Sequence, residues 1–346
     1  MGIYKKMQLK FAKQYIPLFV LLLFVFSCNN TKEPETSTSV SSAPAETVKK
    51  ALVIPPEFNS DSAYSFIKKQ VGFGPRVPGS ESQKKCASYL VSKFREYGMD
   101  VIVQDTFVTV FTGKSLPCKN IIGQFDVENK NRIVLMSHWD SRPFADQDKE
   151  NRTKPIDAAN DGASGVAVMI EIARLIQLSK NKPSVGIDFI CFDVEDYGQP
   201  QDGMMEEKSD TWCLGSQYWS KNLHQKDYHP KYGILLDMVG AKDPVFSKEG
   251  HSMYYAANVV EKIWTTAARL GYTKLFINNK DYRGLTDDHY YVNTIAHIPT
   301  VDIVDYNPYT NSFGSYHHTH LDNISIIDKG TLTATSRTLL DVIYNE

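Results

Sequence analysis

The sequence predicts an α/β domain with a mostly parallel central sheet and helices on both faces. Three observations lead there. Runs 132–138, 185–192 and 232–238 are nearly all apolar, as strands covered on both faces must be. Amphipathic stretches of helical period separate such runs. Carboxylates and histidines crowd just past the ends of the runs, at the edge where open α/β sheets bind ligands. At 346 residues the chain holds one such domain of the larger kind, with no second catalytic domain needed.

The amino terminus stands apart. Lys5, Lys6, Lys10 and Lys13 precede an apolar run at 16–26, the order of a secretory signal, and that run is short for a bilayer span. Val25-Phe26-Ser27-Cys28 resembles the lipobox of bacterial lipoproteins. Residues 1–27 then form a lipoprotein-type signal peptide, and Cys28 becomes the lipid-modified first residue. Residues 28–50, rich in Ser, Thr, Pro, Glu and Ala, bury too little apolar surface to offset chain entropy and read as a flexible tether. Residues 51–346 are the folded domain. The expectation is an exported chain, lipid-anchored at a membrane facing the periplasm.

Within the domain, Ala63, Phe66, Ile67 and Val71 mark a first helix, broken by Gly72-Phe73-Gly74-Pro75. Ser80 caps a second, with Cys86, Leu90, Val91, Phe94 and Tyr97 near helical period. Residues 99–110 alternate as a strand, and 120–125 and 132–138 are further strands. A helix at 164–178 carries Val168, Ile172, Leu175 and Ile176 on one face. After the strands at 185–192 and 232–238 come a helix at 254–270, a short one past Thr286, a strand at 299–304 and a closing helix at 327–344. Residues 197–211 read as an inserted loop at a pocket rim. Alternation of this kind gives a doubly covered sheet.

The formal charge of -2 carries no basic footprint, which excludes nucleic acid and favours small or peptide substrates. Cys86, Cys118, Cys191 and Cys213 include no C-x-x-C pair and read as free or singly paired thiols, not metal ligands.

The chemistry-bearing residues follow the strands. His138 and Asp140 come after the run at 132–138, Asp193, Glu195 and Asp196 after 185–192, and Asp237 ends 232–238. Asp161 stands at a helix entrance, Asp287-Asp288-His289 before another helix, and His317-His318 past the last strand. Singly, each reads as a cap, a solvated turn or a surface pair. Together they point to a metal, because charges ending buried strands are costly unless paired or ligated. One or two imidazoles with several carboxylates form a set suited to zinc.

The blocks Ser137-His138-Trp139-Asp140-Ser141, Ala159-Asn160-Asp161-Gly162-Ala163-Ser164-Gly165, Phe192-Asp193-Val194-Glu195-Asp196 and His318-Thr319 resemble the motif order of the M28 zinc aminopeptidase superfamily. Arg76-Val77-Pro78-Gly79-Ser80, residues 235–241 with Asp243-Pro244, and Asp287-Asp288-His289 bring the likeness closer to the animal-type glutaminyl cyclases. The resemblance implies the zinc aminopeptidase-like three-layer fold and one zinc ion held by Asp161, Asp196 and His318. It implies Glu195 as general base and acid, with Asp237 and Asp288 as a hydrogen-bonded acidic pair beside it. His138 matches a second-metal position that the cyclases leave spare. Family cyclases have Glu where Asp196 stands, and a pocket tryptophan where His317 stands. Trp212, and after it Trp139, are the candidates for the aromatic wall. The implied reaction closes an amino-terminal glutamine of peptides or proteins into pyroglutamate with release of ammonia; a monomer is the separate expectation for its oligomeric state. Two rivals use the same fold. One is an aminopeptidase with two zinc ions, held by His138, Asp161 and Asp237 and by Asp161, Asp196 and His318. The other is a non-catalytic lipoprotein, which would normally have lost the base or a ligand.

Overall fold

The computed structural model describes residues 51–200, 208–280 and 283–346. The signal peptide, Cys28, the tether and residues 201–207 of the inserted loop lie outside the described residues. No helix among the described residues is long and apolar enough to cross a membrane.

Helix α1, Ser60–Val71, starts at Asn59, whose side chain accepts from the Ser62 amide, and α2, Glu81–Glu96, starts at Ser80, which accepts from the Gln83 amide. These caps satisfy amides that the first helical turn leaves free. The main sheet comprises β1 (Asp100–Thr109), β2 (Ser115–Phe125), β3 (Arg132–His138), β4 (Gly186–Phe192) and β5 (Gly233–Asp237), then β6 (Phe246–Lys248) and β7 (Phe276–Lys280) leave it to pair with each other, and β8 (Thr300–Val304) returns. Its order is β1-β2-β4-β3-β5-β8. The β4-β3-β5-β8 part is parallel, as expected, but β1 with β2 and β2 with β4 are antiparallel, so the sheet is mixed. The short link between β1 and β2 leaves no room for the crossover that parallel neighbours need.

Strands β3, β4, β5 and β8 are buried along their whole length. Strand alternation explains the two cores. Ile133, Leu135, Phe189, Ile234 and Val301 face the larger core with α1, α2, α3 (Ala163–Leu178), α5 (Gly250–Arg269) and α7 (Lys329–Tyr344). Val134, Met136, Ile190 and Leu235 face a smaller one, closed by Trp219 of α4 (Leu214–Lys221) and by Val292, which follows α6 (Asp288–Tyr291). From β3 the chain adds β4 on one side and later β5 on the other. That reversal opens a crevice at the carboxyl ends of the strands, where a doubly wound sheet places its ligand.

Candidate metal centre and active site

His138 closes β3 and reaches across the crevice. Its Nε2 lies 2.9 Å from Asp161 Oδ1 and 3.2 Å from Asp237 Oδ1, the last residue of β5. Burial alone would keep this imidazole neutral, but Asp140, Asp161, Asp237 and Glu195 outweigh burial and push its pKa well up. For Asp237, burial dominates the opposing His138 hydrogen bond, and with the nearby Asp161 charge it raises the carboxyl to about 7.

Asp161 sits in the loop entering α3. The cap of that helix is Gly162, at φ 98°, and no side chain caps it, so the Asp161 carboxylate is free for other work. A Cβ at Gly162 would lie 2.8 Å from the Asp140 carbonyl oxygen and 3.0 Å from His138 Cε1, which only glycine avoids. Three buried polar residues pin this loop. Arg76 donates to the carbonyls of Trp139 (3.2 Å), Ala158 (2.7 Å) and Asp157. Asp322 accepts from the amides of Asn160 (2.7 Å) and Asp161 (3.0 Å). Asn160 Oδ1 in turn accepts from the amides of Gly240 (2.7 Å) and Ala241 (2.9 Å), tying the loop to the segment after β5.

Glu195 and Asp196 follow β4, and Asp140 holds both: its carboxylate oxygens accept from the Glu195 amide (3.1 Å) and the Asp196 amide (3.2 Å). His318, in a left-handed backbone conformation at φ 54°, brings Nε2 to 3.1 Å from Asp196 Oδ1 and 3.8 Å from Asp161 Oδ2. Thus the structure brings Asp161, Asp196 and His318 together. Asp161 Oδ2 and both Asp196 oxygens are buried without a hydrogen-bond donor. Buried carboxylate oxygens are costly in that state. Burial, followed by Arg142, pushes the His318 pKa down to about 3, so its ring is neutral and able to bind a metal. This donor set fits a zinc ion. His317 offers a ring nitrogen within 4.8 Å of Asp161 and His318, and His138, Asp161 and Asp237 form a second set at the same spacing.

A cavity of about 160 Å³ opens between these groups, lined by Asp161, Asp196, His318, Glu195, Asp237 and Asp287 on its polar side. Trp212, Phe313, His317 and Leu285 form apolar walls. Trp212 stacks on His318 at 4° and 5.7 Å between ring centroids, with the Arg142 guanidinium 4.4 Å from its ring centroid. Gly198 makes room for the indole, since a Cβ there would sit 1.9 Å from Trp212 Cδ2. His317 stacks between Phe313 (4.3 Å) and His318 (3.6 Å). Glu195 Oε1 accepts from the Cys213 thiol at 3.3 Å, and Oε2 is 3.8 Å from His138 Nδ1. Burial first, and then the charges of Asp196, Asp287 and Asp288, push the Glu195 pKa well above the usual carboxylate range, with His138 opposing.

Two sequence expectations need correction. Trp139 is fully buried and donates its indole N–H to the Lys119 carbonyl (3.1 Å); it packs in the larger core and is no part of the cavity wall. Asp237 and Asp288 share no hydrogen bond among the described residues, and Asp237 bonds His138 instead. The acid that faces the cavity is Asp287, which the sequence named in the same block while the pair role went to Asp288; it lies within 4.8 Å of Glu195 and Cys213. Asp287 caps α6 in an extended conformation, whereas Asp288 is the first helical residue and is wholly buried. One step along a helix turns a side chain by about 100°. Nothing in two adjacent acids tells which one faces the ligand. The four domain cysteines are all free and buried.

With its mixed sheet, helical cover and crevice site, the chain has the α/β fold of zinc-dependent exopeptidases. Residues 120–343 match peptidase family M28, and the chain belongs to that family. Among solved structures it is similar to the glutaminyl cyclase of Tannerella forsythia (49% identity, covering 84% of this chain and 100% of that one, TM-score 0.81). It is similar at 46% identity to the Bacteroides thetaiotaomicron glutaminyl cyclase bound to N-acetylhistamine, over 85% of this chain and 100% of that one, TM-score 0.81. A Zn-dependent exopeptidase of Parabacteroides distasonis matches equally, at 46% identity, 85% and 100% coverage and TM-score 0.81. The likeness to M28 proteins and glutaminyl cyclases read from the motifs is borne out.

Proposed function

We propose that this chain is a glutaminyl-peptide cyclotransferase, which turns the amino-terminal glutamine of peptides or proteins into pyroglutamate and releases ammonia. The observation that carries the reading is Glu195, partly buried with its proton affinity raised as a proton carrier needs, beside unsatisfied oxygens of Asp161 and Asp196, in a cavity of about 160 Å³. That volume is below the roughly 300–1,000 Å³ of sites that enclose a drug-sized ligand. It suits one side chain, with the rest of the peptide left outside.

Asp161, Asp196 and His318 would hold one zinc ion, whose Lewis acidity activates the glutamine side-chain amide. The protein's own groups do the rest. Trp212, His317 and Phe313 cover the apolar stem of the side chain and keep water out. The α-amine nitrogen forms a bond to the amide carbon and loses a proton to Glu195. Glu195 then returns that proton to the amide nitrogen as its bond to carbon breaks, and ammonia leaves. Asp237 and Asp287, on either side, orient the two nitrogens.

The aminopeptidase reading draws support from one feature, the His138, Asp161 and Asp237 set that could take a second ion. Assaying the purified protein on a Gln-initiated peptide and on an aminoacyl amide separates them. Pyroglutamyl peptide with ammonia supports the cyclase, and free amino acid without ammonia refutes it. The reading extends to an exported monomer, lipid-anchored through Cys28 on a membrane facing the periplasm, with exported proteins as substrates. Lipid labelling of the wild type, absent from Cys28→Ala, tests the anchor.

A further inference from the structure

The turn that carries Glu195 is clasped by the segment entering α4, and the reaction above gives that clasp no part. Cys213 is the cap of α4, fully buried and in the left-handed conformation at φ 58°. Residues with a Cβ seldom adopt that conformation, because Cβ then crowds the backbone, so something must hold Cys213 there. Two backbone bonds do so: the Cys213 amide donates to the Glu195 carbonyl (2.9 Å) and the Leu214 amide to the Val194 carbonyl (3.0 Å). Asn120 on β2 fixes the same junction, accepting from the Asp193 amide (3.1 Å) and donating to the Gly215 carbonyl (2.9 Å).

The clasp aims one side chain. Trp212 lines the cavity, while Cys213 next to it lies outside the lining, so its thiol reaches Glu195 from within the protein. Sγ is 3.3 Å from Glu195 Oε1, a hydrogen bond at the size of sulfur. The thiol is the donor, because burial, followed by the neighbouring Glu195 charge, pushes its pKa well above the ordinary value. The other oxygen is treated differently. His138 Nδ1 stops 3.8 Å from Glu195 Oε2, beyond hydrogen-bonding reach. One carboxyl oxygen is therefore held and the other is not.

We propose that Cys213 is a positioning residue for the reaction: its S–H holds Oε1 of Glu195, fixes the plane of the carboxyl, and leaves Oε2 to take the proton from the α-amine and return it to the departing amide nitrogen. The S–H proton stays on sulfur throughout. This rests on the cyclase reading, which wild-type turnover of a Gln-initiated peptide checks first and separately. Cys213→Ala removes the donor, and Cys213→Ser keeps one on the same carbon. Misplacing a reacting group by about 1 Å can cost on the order of a hundredfold, so a carboxyl that is merely loosened should lose roughly tenfold in kcat, with KM and zinc content unchanged. Serine should recover most of that loss. In a Glu195→Gln background the alanine change should cost nothing further, since the group it positions no longer carries a proton. The contact has a readout that needs no turnover: the infrared S–H stretch lost between wild type and Cys213→Ser should lie at the lowered frequency of a hydrogen-bonded thiol.

An alanine variant at the wild-type rate would overturn the proposal, as would a serine variant as slow as alanine. So would a loss that falls on KM or on zinc content, a further loss in the Glu195→Gln background, or an S–H stretch at the frequency of a free thiol.

Discussion

Replacing Glu195 with glutamine isolates the proton carrier from the metal centre. The amide has the same shape, so the contact at 3.3 Å with the Cys213 thiol can persist, and the backbone amide held by Asp140 is untouched. Asp161, Asp196 and His318 keep every atom. Binding of metal and substrate should therefore survive, and the loss should fall on kcat. A positioned acid or base contributes about 10²–10⁴-fold, and one carboxylate here serves two transfers in succession. A loss of about a thousandfold or more is expected, equivalent to about 4 kcal/mol at 1.36 kcal/mol per tenfold. The assay is ammonia release at saturating Gln-initiated peptide, with zinc content measured on the same preparation. Turnover within tenfold of wild type, with zinc in place, would refute the assignment of the base.

Other consequences follow from the geometry. Asp287→Asn should cost about a hundredfold in kcat, an ordinary loss for a misplaced reacting group, and Asp288→Asn clearly less, with both read in the ammonia assay. Arg76→Leu strands the carbonyls of Trp139, Asp157 and Ala158; at about 1–3 kcal/mol for each unsatisfied group, denaturant midpoints should fall well below wild type and zinc should bind more weakly. Burial lowers the His224 pKa from 6.5 to about 4, and Trp219 Nε1 donates to its Nδ1 at 3.1 Å, which requires a neutral ring. The unfolded chain takes up this proton first as pH falls. The His224 contribution is thus complete above 6.5 and is lost between 6.5 and about 4, by about 3 kcal/mol at most. Urea titrations across that window should show the loss, and His224→Gln should flatten it.

Much of this was legible in the sequence because burial leaves a plain mark. The strands covered on both faces read as apolar runs, and their ends delivered His138, Glu195, Asp196 and Asp237 to one crevice, joined by Asp161 from the entrance of α3 and His318 from the loop after β8. Ser80 announced its helix by its own capping chemistry. What stayed hidden depended on direction and on distant partners. Trp139 follows a site histidine, yet its indole turns into the core to meet the Lys119 carbonyl. Helix α4 is too short and too polar in pattern to stand out, although Trp219 on it closes the smaller core. The antiparallel β1–β2 pair follows from a tight link, which periodicity does not report. Glu195 and Cys213 come from separate segments, and only the folded chain shows that the thiol meets the carboxyl.

The most direct test joins metal count to product. Zinc-loaded protein, incubated with a Gln-initiated peptide, should carry one zinc per chain and yield ammonia and pyroglutamyl peptide in equal amounts, with the ion lost from Asp161→Asn and His318→Ala. Free glutamine without ammonia, or an ion that stays bound in those variants, would contradict the account.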